Sequence, residues 1–355
     1  MDIWAWMYTA YPELIEQGHN RLASIINDLP SLVLDDEIAK VDALVPEALA
    51  LCKQQKNPWI EIFIRHWNLQ SRVLCRGEGE GQLQEVISLL DYASQETTKD
   101  CPQSICIVQD LSICYAHIDY IGYADERLAV SQETLSRIDP SWNCYPCIVS
   151  EFLNAKSDKK LYQEVLEEIQ YHKKQMKLAN PSSTEQKLIL REVLTLESLK
   201  RYQDAFDLLK TANNPNGGMH FKNKCKLIRG RLYARLGDYN NALKNLLPFN
   251  KIFSVLSLAP NWCDLCYMLA KAEIINNDES LNHSFEQLCQ KWLDLGCLRV
   301  SFENTVLQTK LAIKRQQTDT VKGCLKRLNF ILPKLKIDGG AAEKIAKLED
   351  ELALI

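Results

Sequence analysis

Glycine is scarce in this chain, 13 in 355 residues, and runs alternating β-branched with polar residues are missing. Both shortages argue against sheets, which need turn glycines and period-two alternation. No apolar run reaches the ~18 residues that a helix needs to span a bilayer. The start, MDIWAWMYTAYPELIE, is apolar but has no basic residue ahead of that apolar run and an acid at Asp2, which makes a poor secretory leader. A cytoplasmic chain with no membrane partner is therefore expected. Motifs that carry chemistry are also missing. There is no phosphate-cradling Gly-x-x-x-x-Gly-Lys-Ser/Thr, no Gly-x-Ser-x-Gly and no His-Glu-x-x-His. The six histidines (His19, His66, His117, His172, His220, His283) are scattered, with no pair at ligand spacing. The chain reads as a non-enzyme without a cofactor or metal.

What is present is an ordinary globular composition, 46% hydrophobic and 25% charged. The length suits two or three domains or one array of repeats. Cysteine is abundant at 13, an odd count, and most cysteines fall at core-like spacing in apolar stretches, so reduced thiols are expected. Two Cys-x-x-Cys pairs, Cys144/Cys147 and Cys263/Cys266, have redox or zinc spacing. No βαβ pattern surrounds them, and they stand too far apart in an array to share a metal, so both are read as packing.

The net charge of −4 hides an asymmetry: residues 1–150 hold 10 basic and 22 acidic residues, the remainder 32 and 24. Two segments, 222–251 and 299–336, carry most of the basic excess. Few aromatics are interleaved there, so nucleic acid is a weaker expectation than an acidic protein partner.

Prolines mark a period. Pro58, Pro102, Pro140, Pro181, Pro215 and Pro260 each precede an amphipathic helical stretch, where proline is tolerated at the first turn. The clearest unit is KLIRGRLYARLGDYNNALKNLLP at 226–248: two short amphipathic helices about a turn at Gly237-Asp238. Tyr202, Ala205 and Leu209 stand 37 residues before Tyr239, Ala242 and Leu246. Weaker echoes place Asn277-Asp278 and Thr318-Asp319 at turns and Gly323 in the small-residue place of Ala242. Val86, Val165 and Asn282 stand in that place elsewhere. The Gly77–Gly81 stretch reads as a flexible turn, because its two acids would repel phosphate.

Gly230, Tyr233, Gly237, Tyr239 and Ala242 together resemble the tetratricopeptide repeat, whose helix-turn-helix units stack into a superhelix. The resemblance implies an all-α fold, a right-handed α-solenoid of about seven to eight pairs. Residues 1–57 would form an irregular first pair, with helices near 10–28 and 36–56. Residues 58–336 would be repeats, and 337–355 a polar capping helix. The N-terminal Trp4, Trp6, Tyr8 and Tyr11 are core or an exposed anchor. By the resemblance, first helices line a concave groove that binds an extended segment of another protein. The positions it assigns to that groove are Lys187, Arg191, Lys224, Arg231, Arg235, Tyr267, Lys271 and Arg315. Charge reversal at Arg231 and Arg235 would then weaken binding and leave stability nearly unchanged. A solenoid that senses a peptide or small ligand is the alternative function, and nucleic-acid binding through the basic half a further one.

Overall fold

The structure is a computed structural model and describes residues 2–181, 186–212, 218–249, 256–276 and 278–354, with no strand among them. In chain order the helices are α1 (Ile3–Glu16), α2 (Asn20–Leu34), α3 (Ile38–Gln55), α4 (Pro58–Gln70), α5 (Gly79–Ala93) and α6 (Ser104–Asp119). Then come α7 (Ala124–Leu135), α8 (Tyr145–Asp158), α9 (Tyr162–Ala179), α10 (Gln186–Ser198), α11 (Tyr202–Lys210) and α12 (Gly218–Arg235). The last six are α13 (Tyr239–Leu246), α14 (Ala259–Lys271), α15 (Asp278–Asp294), α16 (Leu298–Lys314), α17 (Thr318–Ile331) and α18 (Ala341–Leu352).

Even-numbered helices pack in succession and form the inner layer; each odd helix from α3 on lies against the two even helices that flank it. Among the described residues the result is an all-α solenoid of eight pairs, α2–α3 to α16–α17, with α1 before them and α18 after. Pro58, Pro102, Pro140, Pro181 and Pro260 all lie at or shortly before the start of an inner helix; Pro215 lies outside the described residues.

The repeat is clearest in the backbone. Asp36, Lys160, Lys200, Gly237 and Gln316 adopt φ of 58°, 63°, 61°, 84° and 54°, each two residues before an outer helix. The next amide reaches back to the carbonyl five residues earlier, as in Glu37 to Leu32, Arg201 to Leu196 and Asp238 to Tyr233, each 2.9 Å, which closes the inner helix as a Schellman cap. The fourth residue of the outer helix then points inward: Val41, Val165, Ala205, Ala242 and Val321 are all fully buried. This register corrects three assignments. The place of Ala242 in α17 belongs to Val321, and Gly323 faces open space. In α15 it belongs to buried Leu281, while Asn282 hydrogen-bonds Gln317 at 2.8 Å. The turn before α17 is Gln316-Gln317, and Thr318 already begins the helix. Asn277 lies outside the described residues.

Gly230 does meet a neighbour closely: a Cβ there would sit 2.6 Å from Leu265. At the N-terminus, the expected helix near 10–28 is two helices, broken at Gly18 with φ 82°. The aromatics divide. Trp6 is buried at 5.7 Å from Phe63 and 6.3 Å from Trp59, and Trp4 lies 6.4 Å from Trp67, whereas Tyr8 is 82% exposed. A helix has one core-facing stripe, and Tyr8 stands off it.

Successive turns of the solenoid touch. The end of α2 meets the start of α12, where Asp36 lies 3.5 Å from His220. The chain leaving α4 meets the approach to α14, where Gly77 lies against Leu256. The end of α6 meets the start of α16 through Asp119 and Arg299. Each of these pairs is five inner helices apart, so five helix pairs complete one turn. The 77–81 stretch is consequently a seam. The Cys297 thiol donates to the Gly77 carbonyl at 3.2 Å, and Gly79 begins α5 so close to α6 that a Cβ would stand 2.6 Å from His117.

Candidate functional site

Inner helices of a tight solenoid face one another across a narrow axis, and here that face is polar. A ladder of pairs climbs it. His66 on α4 meets buried Asp110 on α6 at 2.7 Å, with Gln70 on the other carboxylate oxygen. Burial pushes the Asp110 carboxyl up, and the His66 and Gln70 contacts oppose that. Ser112 donates to Glu151 on α8 at 3.3 Å. Arg127, itself fully buried at the start of α7, bonds Asp158 and the Tyr120 carbonyl and lies 3.8 Å from Glu151. Burial raises the Asp158 carboxyl to about 6 even beside that guanidinium.

Higher up, Arg231 on α12 donates to Glu197 on α10 at 2.8 Å and to Asn261 on α14, and lies 3.7 Å from Asp264. Glu197 is buried, so this is a desolvated pair and not a surface one. Arg235, one turn on, is 41% exposed, 3.9 Å from Glu197 and 5.9 Å above the Tyr202 ring. It opens on a groove of about 430 Å³ at the rim, lined by Tyr202, Arg235, Tyr239, Met268 and Lys271. A smaller pocket of about 260 Å³ lies between α14, α16 and the end of α6, lined by Tyr120, Asp264, Glu303 and Asn304 among others.

No family model and no curated protein matches the chain. Among solved structures it is similar to a Rap protein complexed with competence and sporulation factor, at 13% identity and a TM-score of 0.49, over 91% of this chain and 99% of that one.

The residues that the repeat register assigned to the groove fall into four groups. Arg191, Lys224 and Arg231 are half-buried on consecutive inner helices, and Arg235 follows Arg231 to the rim. Tyr267 is half-buried on α14, with exposed Lys271 5.9 Å from its ring centre. Arg315 ends α16, where it donates to the Ile275 carbonyl at 2.9 Å. Lys187 belongs to α10, and its side chain lies outside the described residues.

A wholly basic surface does not result. Glu151, Asp158, Glu197 and Asp264 share the axis with these cations, and none of the four was singled out as a groove residue. Glu197 was recoverable: it lies one turn past buried Val193 on α10, near the same helical face. Glu151 and Asp158 were not, because residues 141–158 hold no glycine and Ala155 alone does not set the phase.

The cysteines sit in the packing. Cys263 and Cys266 are buried, and desolvation raises both thiols well above their ordinary range, the reverse of a reactive thiolate. Cys144 is buried and Cys147 half-buried, and neighbouring Cys144 together with burial pushes the Cys106 thiol well above its ordinary range.

Proposed function

We propose that this chain is a protein-interaction scaffold that binds an extended partner segment along the axis lined by its inner helices and out across the rim. The observation that carries the reading is the row of charged side chains on three consecutive inner helices, half-buried Arg191, Lys224, Arg231 and Asp264 with exposed Arg235 at its end. A solenoid stabilised by packing alone gains nothing from charges there, since each one costs desolvation. A partner segment that brings complementary groups recovers part of that cost and gains specificity from the alternation of sign. The repeats are read as tetratricopeptide-like, with first helices inward, and an acidic stretch of the partner would follow Arg191, Lys224 and Arg235.

The rim supplies the test, because Arg235 and Lys271 are exposed and their charge reversal spares the buried pairs. Proteins retained by the immobilised wild-type chain are identified by mass spectrometry and compared with those retained by an Arg235→Glu/Lys271→Glu chain of equal melting temperature. A protein held by the first and lost by the second supports the reading. Identical retention by both at low salt removes the rim as a binding surface. The exposed face of α1 around Tyr8 and Tyr11 then becomes the candidate.

A further inference from the structure

Among the described residues, every rung of the ladder along the axis but one sets a basic side chain against an acidic one. His66 has Asp110, Arg127 has Asp158 and Glu151, Arg231 has Glu197 and Asp264, and Lys344 on α18 has Glu303. Two turns below Arg231 and Glu197, α12 and α10 carry Lys224 and Arg191. These helices run side by side in the register that the Glu197–Arg231 pair sets. Seven residues back along α12 and six along α10 therefore bring Lys224 level with Arg191.

Neither cation forms an ion pair within 4 Å among the described residues. The acids nearest to them are spoken for: Asp158 bonds Arg127, and Glu151 lies beside Arg127 and accepts from Ser112 and Asn154. The Arg191 Nε is buried with no hydrogen-bond partner among the described residues. Burial, and after it the Arg191 charge, lowers the Lys224 amine, while Glu151 pulls the other way.

We infer that Arg191 and Lys224 form an oxyanion site on the solenoid axis, taking one carboxylate or phosphate group between the guanidinium and the ammonium. Two half-buried cations of like sign raise the energy of the empty chain, and a bound anion relieves both the repulsion and the unmet donors. An arginine fork and a lysine point charge are complementary donors for such a group. This inference deepens the scaffold reading and rests on the same axis: it names the chemistry that a partner segment would bring to that rung.

The test uses the full chain and three variants, melted with and without millimolar inorganic phosphate, at an ionic strength held constant with sodium chloride. A second arm replaces phosphate by a short polyglutamate peptide. Lys224→Met removes one of the two cations, and Lys226→Met removes an exposed lysine of the same helix. The expected result is a rise in Tm of about 2 °C or more for wild type and Lys226→Met. Lys224→Met should melt at or above the wild-type temperature without added anion and should not respond. A response to phosphate alone, or to the peptide, tells which oxyanion the rung prefers.

Equal responses in wild type and Lys224→Met overturn the site, as does no wild-type response in either arm. Should Lys224→Met fail to fold, Arg191→Gln takes its place under the same criteria. The scaffold reading fails separately: anion binding that depends on Lys224, with no partner retained through Arg235 and Lys271, would leave this site standing without it. A partner retained equally by wild type and Lys224→Met, with no anion response, would do the reverse.

Discussion

Arg299 and Asp119 meet through a two-pronged ion pair, Nε to Oδ1 at 2.9 Å and Nη2 to Oδ2 at 3.2 Å, although 180 residues separate them. Both side chains are fully buried. Asp119 also accepts from the Gly122 and Lys336 amides, each at 3.0 Å, and Arg299 donates to the Asp338 carbonyl at 3.0 Å and to that of Ile337. Every lone pair and most donors are used, which is the condition under which a buried pair is retained. This clasp joins the first turn of the solenoid to the second, so any change of curvature on the axis has to work against it.

Removing one partner leaves the other charged and dry. Arg299→Met is expected to lower unfolding free energy by about 3–5 kcal/mol in urea titrations. The double variant Arg299→Met/Asp119→Leu should recover part of that loss, since two apolar groups replace two charges. Loss of less than about 1 kcal/mol in the single variant would mean that the seam between turns contributes little.

Acid should reveal two opposed groups. Burial, with Arg127 nearby, lowers His117 to about 4, and burial raises Asp158 to about 6 despite Arg127 and Arg191. A histidine depressed in the folded state takes up its proton more readily when unfolded, so stability falls as pH drops from 6.5 toward 4. A carboxyl raised in the folded state acts the other way, and stability rises as pH drops from about 6 toward 3.8. Each effect is on the order of 3 kcal/mol at most, so they nearly cancel. The wild-type melting temperature should stay level between pH 6.5 and 4.5, while that of His117→Gln should climb on acidification. Parallel profiles for the two proteins would show that His117 is not desolvated.

The repeat was legible where alanine or glycine marked it and hidden where other residues took the same place. Ala205 and Ala242 gave the 37-residue offset, and Gly237 the turn. Lys160, Lys200, Gln316 and Asp36 hold the same left-handed conformation with side chains that carry no sequence signature of it. Val321 in the place of Ala242 fits because hydrophobic volume, not smallness, is required at that crossing. The touching turns were beyond reach for a different reason. Two seams rest on polar pairs about 180 positions apart, Asp36–His220 and Asp119–Arg299, the third sets Gly77 against Leu256, and no local periodicity encodes such pairs.

Those hidden turns make a stability prediction. A non-glycine residue in the left-handed region costs roughly 1 kcal/mol relative to glycine. Lys200→Gly should therefore raise unfolding free energy by about 0.5–1 kcal/mol, while Lys200→Val should lower it, both read by chemical denaturation. Lys200 is exposed, so its side chain contributes no packing that would reverse the sign.

Thiol chemistry should follow burial. Cys263 and Cys266, with raised thiols and almost no exposure, should react with a disulfide reagent only as fast as the chain opens. Half-buried Cys147 should react first. Cys263→Ala and Cys266→Ala should each cost roughly 0.5–2 kcal/mol, as small core losses do. Rapid labelling of the 263/266 pair in the native chain would contradict the packing role.

Arg231 and Arg235 stand four residues apart on α12, and the sequence treated them as equals. The structure separates them. Arg231 is 14% exposed and holds Glu197, Asn261 and Asp264, whereas Arg235 is 41% exposed and stands 3.9 Å from Glu197. Reversing Arg231 to glutamate would place three carboxylates together on the axis and leave dry Glu197 with only the long contact to Arg235. The expected loss is about 3–5 kcal/mol, against the earlier expectation of an unchanged melting temperature. Arg235→Glu gives up a long contact to Glu197 and one to the Tyr202 ring, both made by an exposed side chain, and should change stability by less than about 1 kcal/mol. A double-mutant cycle of Arg231→Met with Glu197→Gln should give a coupling of roughly 1–3 kcal/mol, and one of Arg235→Met with Glu197→Gln a few tenths. Equal coupling in the two cycles would mean that Glu197 is shared evenly between the arginines, and Arg231 would then be as available to a partner as Arg235.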